Sequence, residues 1–432
     1  MRFPTLINTM LRILFLTNFY PPFEIGGQGR SCSQMVQGLQ KRGHEVLVLT
    51  SMHGTGNRPI SAAGVCRELY LEMDLSPLMH ALIFFTRRKA RLKANLRRLA
   101  RAIDEFAPDI IFVWGMWNLS PELPAYVEAR HPEKAVYRFA EYWPTLPSQH
   151  ELYWHETGKS LLTRILRMAL RPLALSMLSK EDSRTRLRFD RAICVSDAIR
   201  QELVDAGVPV GDASVIHTGL DVDEDPQPDW PRRPERGGTL QLLYAGRFTQ
   251  TKGIETALAA MRDLAASEAP MPVSLALAGS GSPEYTAHLR RLVSAWKLQE
   301  HVTFLGWITH ADMPALMRKF HALVVPSEWP DPFPRVVLEA MLAELVVVAA
   351  DAGGIGEIVE DERNGLLFVS GDSKSLADAL RKLAARPALA AQWAQAGCET
   401  ILHHFNLNRM VDAYEAYLLA VAGVETHCLG EM

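Results

Sequence analysis

Four charged side chains are spaced so that they could act together on one small anion and its substituents. Arg247 closes the apolar run Leu242-Leu-Tyr-Ala-Gly246, and Lys252-Gly253 follows five residues later, where a helical pattern begins. Two cations at the mouth of a parallel sheet suit a diphosphate, which carries about two negative charges and needs them compensated when it departs as a leaving group. Farther on, the segment Val324-Val-Pro-Ser-Glu-Trp-Pro-Asp331-Pro-Phe-Pro-Arg-Val-Val-Leu-Glu339 runs from a strand-like stretch through prolines into a helix. Pro332 and Pro334 donate no backbone hydrogen bond, so the loop is expected to end near Pro334, at a favourable first helical position. Asp331 then hangs at the helix mouth, and Glu339 lies about five residues beyond Pro334, roughly 7 Å along the axis at 1.5 Å per residue. That offset is comparable to the one between a diphosphate and its ribose, so one carboxylate can face a sugar and the other the ribose. Taken singly, the same residues also read as surface cations, a dipole-favoured acid and a solvated helix acid. The site is suggested by the four together.

These groups need elements to place them. Short apolar or β-branched runs at Ile13–Leu16, Val46–Leu49, Ile110–Trp114, Ala135–Phe139 and Ala192–Val195 precede helical or loop segments. Such alternation implies parallel sheets covered by helices. The first run enters Asn18-Phe-Tyr-Pro-Pro-Phe-Glu-Ile-Gly26-Gly27-Gln28-Gly29 and then a helix over Ser31–Gln40. Glycines there let backbone approach a ligand and aim helix N–H groups at an anion, although an ordinary strand-to-helix turn accounts for them equally well. Between Asp221 and Gly238 a proline-rich stretch replaces any apolar period, as a linker would. The alternation then restarts at Leu240–Gly246, Val273–Ala278, Val302–Leu305, Leu323–Pro326 and Val346–Ala350. The expected organisation is therefore an α/β domain over 1–221, a linker at 222–238, a second doubly wound α/β domain over 239–402, and a closing segment at 403–432 whose helix packs back on the first domain. The site is expected in a cleft facing the carboxyl ends of both sheets.

At 432 residues, with 48% apolar and 22% charged residues, the chain has enough apolar surface for two cores. No run approaches the roughly 20 apolar residues of a spanning helix, the longest being broken by Arg164, Arg167 and Arg171. Met1–Met10 shows no cleavage site of a secretory signal. Five scattered cysteines fit reduced thiols in a cytoplasmic protein, and no Cys/His cluster has metal-ligand spacing. Up to Leu220 there are 28 Lys/Arg against 21 Asp/Glu, and beyond it 18 against 28. Arg87, Arg88, Lys89, Arg91, Lys93, Arg97, Arg98 and Arg101 surround the apolar stripe Leu92, Leu96, Leu99, Ile103, Phe106. This basic amphipathic helix over 87–106 could meet the inner face of an anionic membrane or an anionic acceptor, or lie solvated on its own core. Nucleic acid is not expected, because interleaved aromatics are missing and the whole chain is slightly acidic.

From Leu11 to about Phe405 the chain resembles glycosyltransferase family 4, of the GT-B fold. The family's tyrosine-proline-proline segment and glycine pair match Tyr20-Pro21-Pro22 and Gly26-Gly27. Its glycine-arginine and lysine-glycine elements match Gly246-Arg247 and Lys252-Gly253, and its pair of acids with seven residues between them matches Asp331 and Glu339. Ser196-Asp197-Ala198-Ile199 and Gly219-Leu-Asp221 resemble the end of the acceptor domain. The resemblance implies two Rossmann-like doubly wound domains with an inter-domain cleft. It implies transfer of a sugar from a nucleoside diphosphate donor (UDP- or GDP-sugar) to a hydroxyl of a glycan, lipid-linked intermediate or small molecule. Configuration would be retained, and no metal or permanently bound cofactor would be needed. It places Arg247 and Lys252 on the diphosphate, Asp331 on the donor sugar and Glu339 on the ribose. Backbone at Val336 and Val337 would hold a phosphate, and the stretch around Gly306-Trp-Ile308 would border the base.

Three positions depart from the family pattern. Asp331 is one methylene shorter than the usual glutamate, and a misplacement of about 1 Å can cost on the order of a hundredfold in rate. Ala140, in Phe139-Ala140-Glu141-Tyr142-Trp143-Pro144, stands where many relatives carry a histidine. The acceptor side is then read at Glu141, Tyr142 and Trp143. Glu344 replaces a glycine common after the motif helix, a change in how that helix ends. Two further readings follow: a catalytically impaired protein that binds a sugar nucleotide, and a GT-B sugar-nucleotide epimerase.

Overall fold

The computed structural model describes residues 10–24, 26–74, 80–156, 161–181, 187–222, 238–266 and 272–424. The expected linker and the amino-terminal ten residues fall almost entirely outside the described residues. The chain forms two units. One comprises the residues up to Val195, Arg200–Ile216 and the chain from Val411 onward; the other comprises Ser196–Ile199 and His217–Met410.

The N-terminal unit is built on strands β1 (Arg12–Thr17), β2 (Glu45–Ser51), β3 (Ile60–Ala62), β4 (Val65–Leu69), β5 (Ile110–Gly115), β6 (Ala135–Phe139), β7 (Ala192–Cys194) and β8 (Ser214–Val215), in the sheet order β3-β4-β2-β1-β5-β6-β7-β8. Pairing is parallel, with Ile13 opposite both Val46 and Ile110. Ile13–Leu16 and Ile110–Trp114 are buried on both faces, as continuous apolar runs at the centre of a parallel sheet must be. The exception is β3, which pairs antiparallel with β4 through Ala63 (φ 49°) and Gly64 (φ 76°). Two positive φ values make a primed hairpin turn, a feature absent from the expected parallel pattern.

Helices α1 (Gly27–Lys41), α2 (His80–Phe106), α3 (Glu122–Arg130), α4 (Gln149–His155), α5 (Leu161–Glu181) and α6 (Asp197–Asp205) follow in chain order. The C-terminal helix α13 (Leu407–Val421) enters this unit's core from Val411 onward. Tyr414 is fully buried, with its ring 5.9 Å from those of Phe112 and Trp114. Arg138 stacks 4.2 Å above Trp114 and donates from Nε to the Tyr414 hydroxyl at 3.0 Å. Fully burying rings of this size contributes about 2–3 kcal/mol each, and the hydroxyl's pairing with Arg138 removes the penalty of burying it alone.

The C-terminal unit carries β9 (Leu240–Ala245), β10 (Val273–Ala278), β11 (Val302–Gly306), β12 (Ala322–Val325), β13 (Val346–Ala350) and β14 (Leu366–Phe368), all parallel, in the order β11-β10-β9-β12-β13-β14. Its helices are α7 (Ile254–Ala265), α8 (Pro283–Ala295), α9 (Met313–Met317), α10 (Arg335–Leu342), α11 (Ser373–Ala385) and α12 (Pro387–His404). Starts are set by local chemistry: Ser282 caps α8 through Tyr285 N–H, and Asp372 caps α11 through the N–H groups of Lys374 and Ser375. In each sheet the winding direction reverses once, between β1 and β5 and between β9 and β12. Open α/β sheets bind ligands outside the carboxyl ends of such strand pairs.

Candidate active site

In the C-terminal unit the loops leaving β9 and β12 are locked to each other. Gly246 follows the end of β9, and Arg247 comes next, exposed to solvent. The Tyr244 hydroxyl donates to the Arg247 carbonyl at 2.7 Å, which fixes the turn. A 3-10 turn (Gln250–Lys252) leads to Gly253 at φ 63°, where α7 begins. A side chain at Gly253 would overlap the carbonyl oxygen of Pro326, in the loop after β12. That loop returns two bonds, from the N–H groups of Glu328 (2.9 Å) and Trp329 (3.2 Å) to the Thr251 carbonyl, and Thr256 donates to the Glu328 carboxylate at 2.5 Å.

The clamp brings together residues 79 positions apart. Lys252 Nζ donates to Asp331 Oδ1 at 2.6 Å and Oδ2 at 2.7 Å, and Oδ2 also accepts from Ser327 Oγ at 2.7 Å. Asp331 is held from behind as well. Its carbonyl accepts from Gly354 N–H at 2.8 Å, and any side chain at Gly353 or Gly354 would collide with the backbone of 330–332. The ammonium is thus aimed and neutralised within the unit. Arg247 has no ion-pair partner among the described residues, so it brings uncompensated positive charge to the same loop cluster.

Helix α10 starts at Arg335 with Pro334 as its cap (ψ 111°), one position later than expected. Val336 is half-buried in the first turn. Val337 is fully buried, and its N–H donates to the Pro334 carbonyl at 3.1 Å, so the amide expected to hold a phosphate is already bonded. Glu339 Oε1 lies 3.7 Å from His310 Nε2 and 3.8 Å from Arg335 Nε. His310 and Ile308 both follow β11, whose end passes through Gly306 (φ 76°), so the loop expected to border a base sits beside the acid expected to bind a ribose. Trp307, between Gly306 and Ile308, is 70% exposed.

Sequence reasoning had not singled out Ser327, Tyr244, Gly279 or Gly353-Gly354. Gly279 (φ 143°) packs directly on the Gly246 carbonyl, leaving no room for a side chain. Glycine or serine at or within a few residues of the end of a strand-like run is the signal at Ser327, Gly279 and Gly353-Gly354, while Tyr244, inside β9, carries none.

In the N-terminal unit, Gly26 caps α1 with φ 75° and Gly27 is its first residue, so the helix begins four residues earlier than the Ser31 expected. Gln28, in that first turn, reaches the Ala140 carbonyl with Nε2 at 3.4 Å. Glu141 is oriented by the N–H groups of Met116 and Trp117, both 3.2 Å from Oε1. Burial raises its pKa despite those two bonds and Arg138 nearby. Tyr142 and Trp143 are instead core residues, 7% and 9% exposed, with the Trp143 ring 6.1 Å from Phe139 and 5.8 Å from Phe189. The basic helix differs too. Arg91 pairs with Asp74 at 3.2 Å, Arg101 pairs with Glu68, and Arg98 donates to the Glu68 carbonyl and stacks on Tyr70. Much of its charge therefore fastens α2 to its own unit. Among the described residues no cluster of His, Cys, Asp and Glu is placed to hold a metal, and no helix is long and apolar enough to cross a membrane.

Residues 25–224 match the family described as Glycosyltransferase Family 4, and residues 227–400 the one described as Glycosyl transferases group 1. The glycogen synthase of Mycobacterium tuberculosis is 27% identical over 439 residues, covering 96% of each chain. The phosphatidyl-myo-inositol mannosyltransferase of Mycobacterium leprae is 31% identical over 248 residues, 57% of this chain and 60% of its own. Among solved structures, sucrose-phosphate synthase from Thermosynechococcus elongatus superposes with a TM-score of 0.68 at 20% identity, over 96% of this chain and all of that one. HepE from Anabaena, crystallised with UDP and glucose, superposes with a TM-score of 0.63 at 18% identity, over 95% of this chain and 100% of its own. These neighbours share the GT-B fold.

Proposed function

This chain belongs to glycosyltransferase family 4, and we propose that it transfers a sugar from a nucleoside diphosphate donor to a hydroxyl acceptor with retention of configuration. The observation that carries the reading is the Lys252–Asp331 pair, locked between the β9 and β12 loops beside the exposed Arg247. A diphosphate arriving there meets one cation whose charge is free and one whose N–H groups are already aimed. Arg247 supplies the net charge. Lys252 supplies oriented donors that strengthen as charge develops on the departing oxygen. Asp331, steadied by Ser327, contacts the donor sugar; Glu339 takes the ribose hydroxyls, and the Ile308 loop borders the base. The amide left for a phosphate at α10 is that of Val336. The UDP complexes of HepE support a nucleotide-sugar donor.

In the proposed reaction the acceptor hydroxyl approaches the anomeric carbon on the face the diphosphate leaves. The new C–O bond forms as the C–O bond to phosphate breaks, and the hydroxyl proton passes to the departing phosphate oxygen. Charge on the leaving group is met by side chains, so no metal is required by this scheme. On the N-terminal unit Glu141 is the acceptor-side carboxyl; Tyr142 and Trp143 support it by packing.

Thermal-shift measurements against UDP, GDP, ADP and their sugars test donor binding; stabilisation by none of them would end the reading. Lys252→Ala and Arg247→Ala should each lower turnover about a hundredfold or more with the fold intact, and near-wild-type rates would reject the assignment. Ala140, at the position of the family's histidine, favours one alternative, a binder without turnover. Slow release of diphosphate from the donor in the absence of acceptor separates a transferase from such a binder.

A further inference from the structure

Helix α5 is apolar on its outer face as well as on the face it packs inward. Its inner face packs with α2 and α4 around Phe84, Tyr153, Trp154 and Ala174, joined by Leu170, Leu175 and Leu178. Arg167 seals that packing, stacked 3.8 Å above the Tyr153 ring and donating to the carbonyls of Tyr153 and Glu156 at 3.3 Å. The outer face is also apolar. Ile165, Leu166, Met168 and Leu173 are 54%, 53%, 57% and 57% exposed, and Ala169 and Pro172 are exposed with them. Ile165, Met168, Ala169, Pro172 and Leu173 recur at the spacing of one helical stripe. Leu82, from the adjoining turn of α2, is 54% exposed as well. Scattered exposed apolar residues are ordinary, but three large ones in one stripe with Leu166 beside it, all along a single helix, mark an interaction surface.

The charge around the stripe identifies its partner. Over Leu161–Glu181 the helix carries Arg164, Arg167, Arg171 and Lys180 against one acid, Glu181, at its last position. Arg164 and Lys180 are exposed on α5, and Arg87 and Lys89 on the neighbouring stretch of α2. A second copy of this chain would bring the same cations face to face, whereas an anionic bilayer neutralises them while its acyl boundary takes up the stripe. We infer that the outer face of α5 docks on the surface of an anionic phospholipid membrane, with Ile165, Leu166, Met168 and Leu173 buried at the headgroup boundary and Arg164 and Lys180 against the headgroups. The docking rests on the N-terminal unit alone. Its consequence, that the acceptor hydroxyl is carried on a membrane-anchored molecule, rests on the transferase reading.

The test is co-sedimentation of the full chain with vesicles of phosphatidylcholine, with and without phosphatidylglycerol. Wild-type protein should partition onto the anionic vesicles at least about tenfold more than onto the neutral ones, and high salt should weaken it. Ile165→Gln with Leu173→Gln should lower partitioning by about tenfold or more, and Arg164→Gln by about fivefold. Unchanged melting temperature and nucleotide binding would show that the substituted chains are folded. Failure to sediment with anionic vesicles, or sedimentation indifferent to the paired glutamine substitutions, overturns the inference. So does a dimer in analytical ultracentrifugation that those substitutions dissociate, since the stripe would then belong to a second copy. Vesicle binding by a chain that binds no nucleotide sugar would remove the transferase reading and leave the docking; nucleotide binding without vesicle binding would do the reverse.

Discussion

The two sheets present their carboxyl edges by different means. In the C-terminal unit the loops after β9 and β12 are held by backbone meeting backbone: Gly253 against Pro326, Gly279 against Gly246, Gly353 and Gly354 against the chain around Asp331. In the N-terminal unit the edge is held by side-chain packing. Trp143, Phe139 and Phe189 form an aromatic stack, and Gly26, although at φ 75°, has nothing within 4 Å of the place a side chain would occupy. Backbone contact fixes a position to within a fraction of an ångström and tolerates no substitution. Packing tolerates substitutions of similar shape. On the proposed transferase reading, a unit that holds a charged leaving group gains from the first, and a unit that accommodates an acceptor can use the second.

The largest effect expected from this contrast comes from a matched pair of substitutions. Gly253→Ala places a methyl into the Pro326 carbonyl at a positive φ, combining overlap with strain of about 1–2 kcal/mol. The β9 and β12 loops must part, Lys252 is carried away from Asp331, and donor affinity should fall about a hundredfold. Gly26→Ala should incur the strain alone, with donor affinity within about tenfold of wild type. Calorimetric titration of both variants with the nucleotide that stabilises the chain decides it, and equal losses would break the comparison.

A pH effect confined to the N-terminal unit comes next. His80 and His150 are 3% and 5% exposed, with His150 Nδ1 3.2 Å from His80 Nε2. Burial pulls His80 from 6.5 down to about 4, with Arg91 and Arg167 adding and Asp74 opposing. Burial, then His80, Arg88 and Arg91, pull His150 down to about 3. The folded chain therefore binds fewer protons than the unfolded chain between pH 6.5 and 4. Stability from this pair is full well above pH 6.5 and falls as pH drops through that window, by about 3 kcal/mol for His80 alone at 1.36 kcal/mol per unit, with His150 adding in the same direction. Thermal melts followed through the emission of buried Trp154, whose ring is 5.2 Å from that of Tyr153, should show the fall. His80→Gln should flatten the curve; an unaltered slope would show that other groups carry it.

What could be read from residues alone follows the same division. The continuous runs of β1, β5, β9 and β12 announced central parallel strands because burial on both faces demands them. Arg247, Lys252, Asp331 and Glu339 were visible because their chemistry sits at the ends of such runs. The contacts that aim them were not. Nothing local reveals that Gly253 packs on a carbonyl 73 residues away, or that Gly353 backs Asp331. Trp143 next to Glu141 looked like an acceptor platform, yet its ring fills the core. In α5 the residues show only an apolar run broken by Arg164, Arg167 and Arg171, which does not say which side of a helix faces solvent. The Ala63-Gly64 hairpin carried too weak a turn signal beside the usual Asn-Gly or Asp-Gly.

Glu141 offers a smaller test on the packed side. Both N–H groups that orient it meet one oxygen, so Glu141→Gln can keep that oxygen in place. Because burial raises the carboxyl's pKa, ionisation at neutral pH works against folding. The amide should leave the melting temperature equal or slightly higher, whereas Glu141→Leu, which strands two N–H groups, should destabilise by about 2 kcal/mol. If Glu141 serves the acceptor, the glutamine variant keeps donor binding and lowers turnover about tenfold or more; unchanged turnover would reduce the residue to a support.

The smallest effect concerns how α10 ends, and it tests whether backbone geometry on the locked side is tuned for stability or for aim. After Leu342 the chain closes with Glu344 N–H on the Met341 carbonyl at 2.8 Å and Leu345 N–H on the Ala340 carbonyl at 2.9 Å. This is the paired-bond termination that places its third residue in the left-handed region, and Glu344 stands there at φ 55°. A side chain in that conformation costs about 1–2 kcal/mol, while glycine gives back part of the gain as unfolded-chain entropy. Glu344→Gly should therefore raise stability by a net ~0.5–1 kcal/mol, read as a rise of a few degrees in melting temperature. Because the helix end is already formed, with the Glu339 carbonyl accepting from Ala343 N–H at 3.0 Å, neither Glu339 in the last turn nor Asp331 before the helix start should move, and donor affinity should be unchanged. A gain in stability with a loss of affinity would mean that the strain at Glu344 is transmitted along α10 to the donor site, and that the locked unit is held under tension where it meets the ligand.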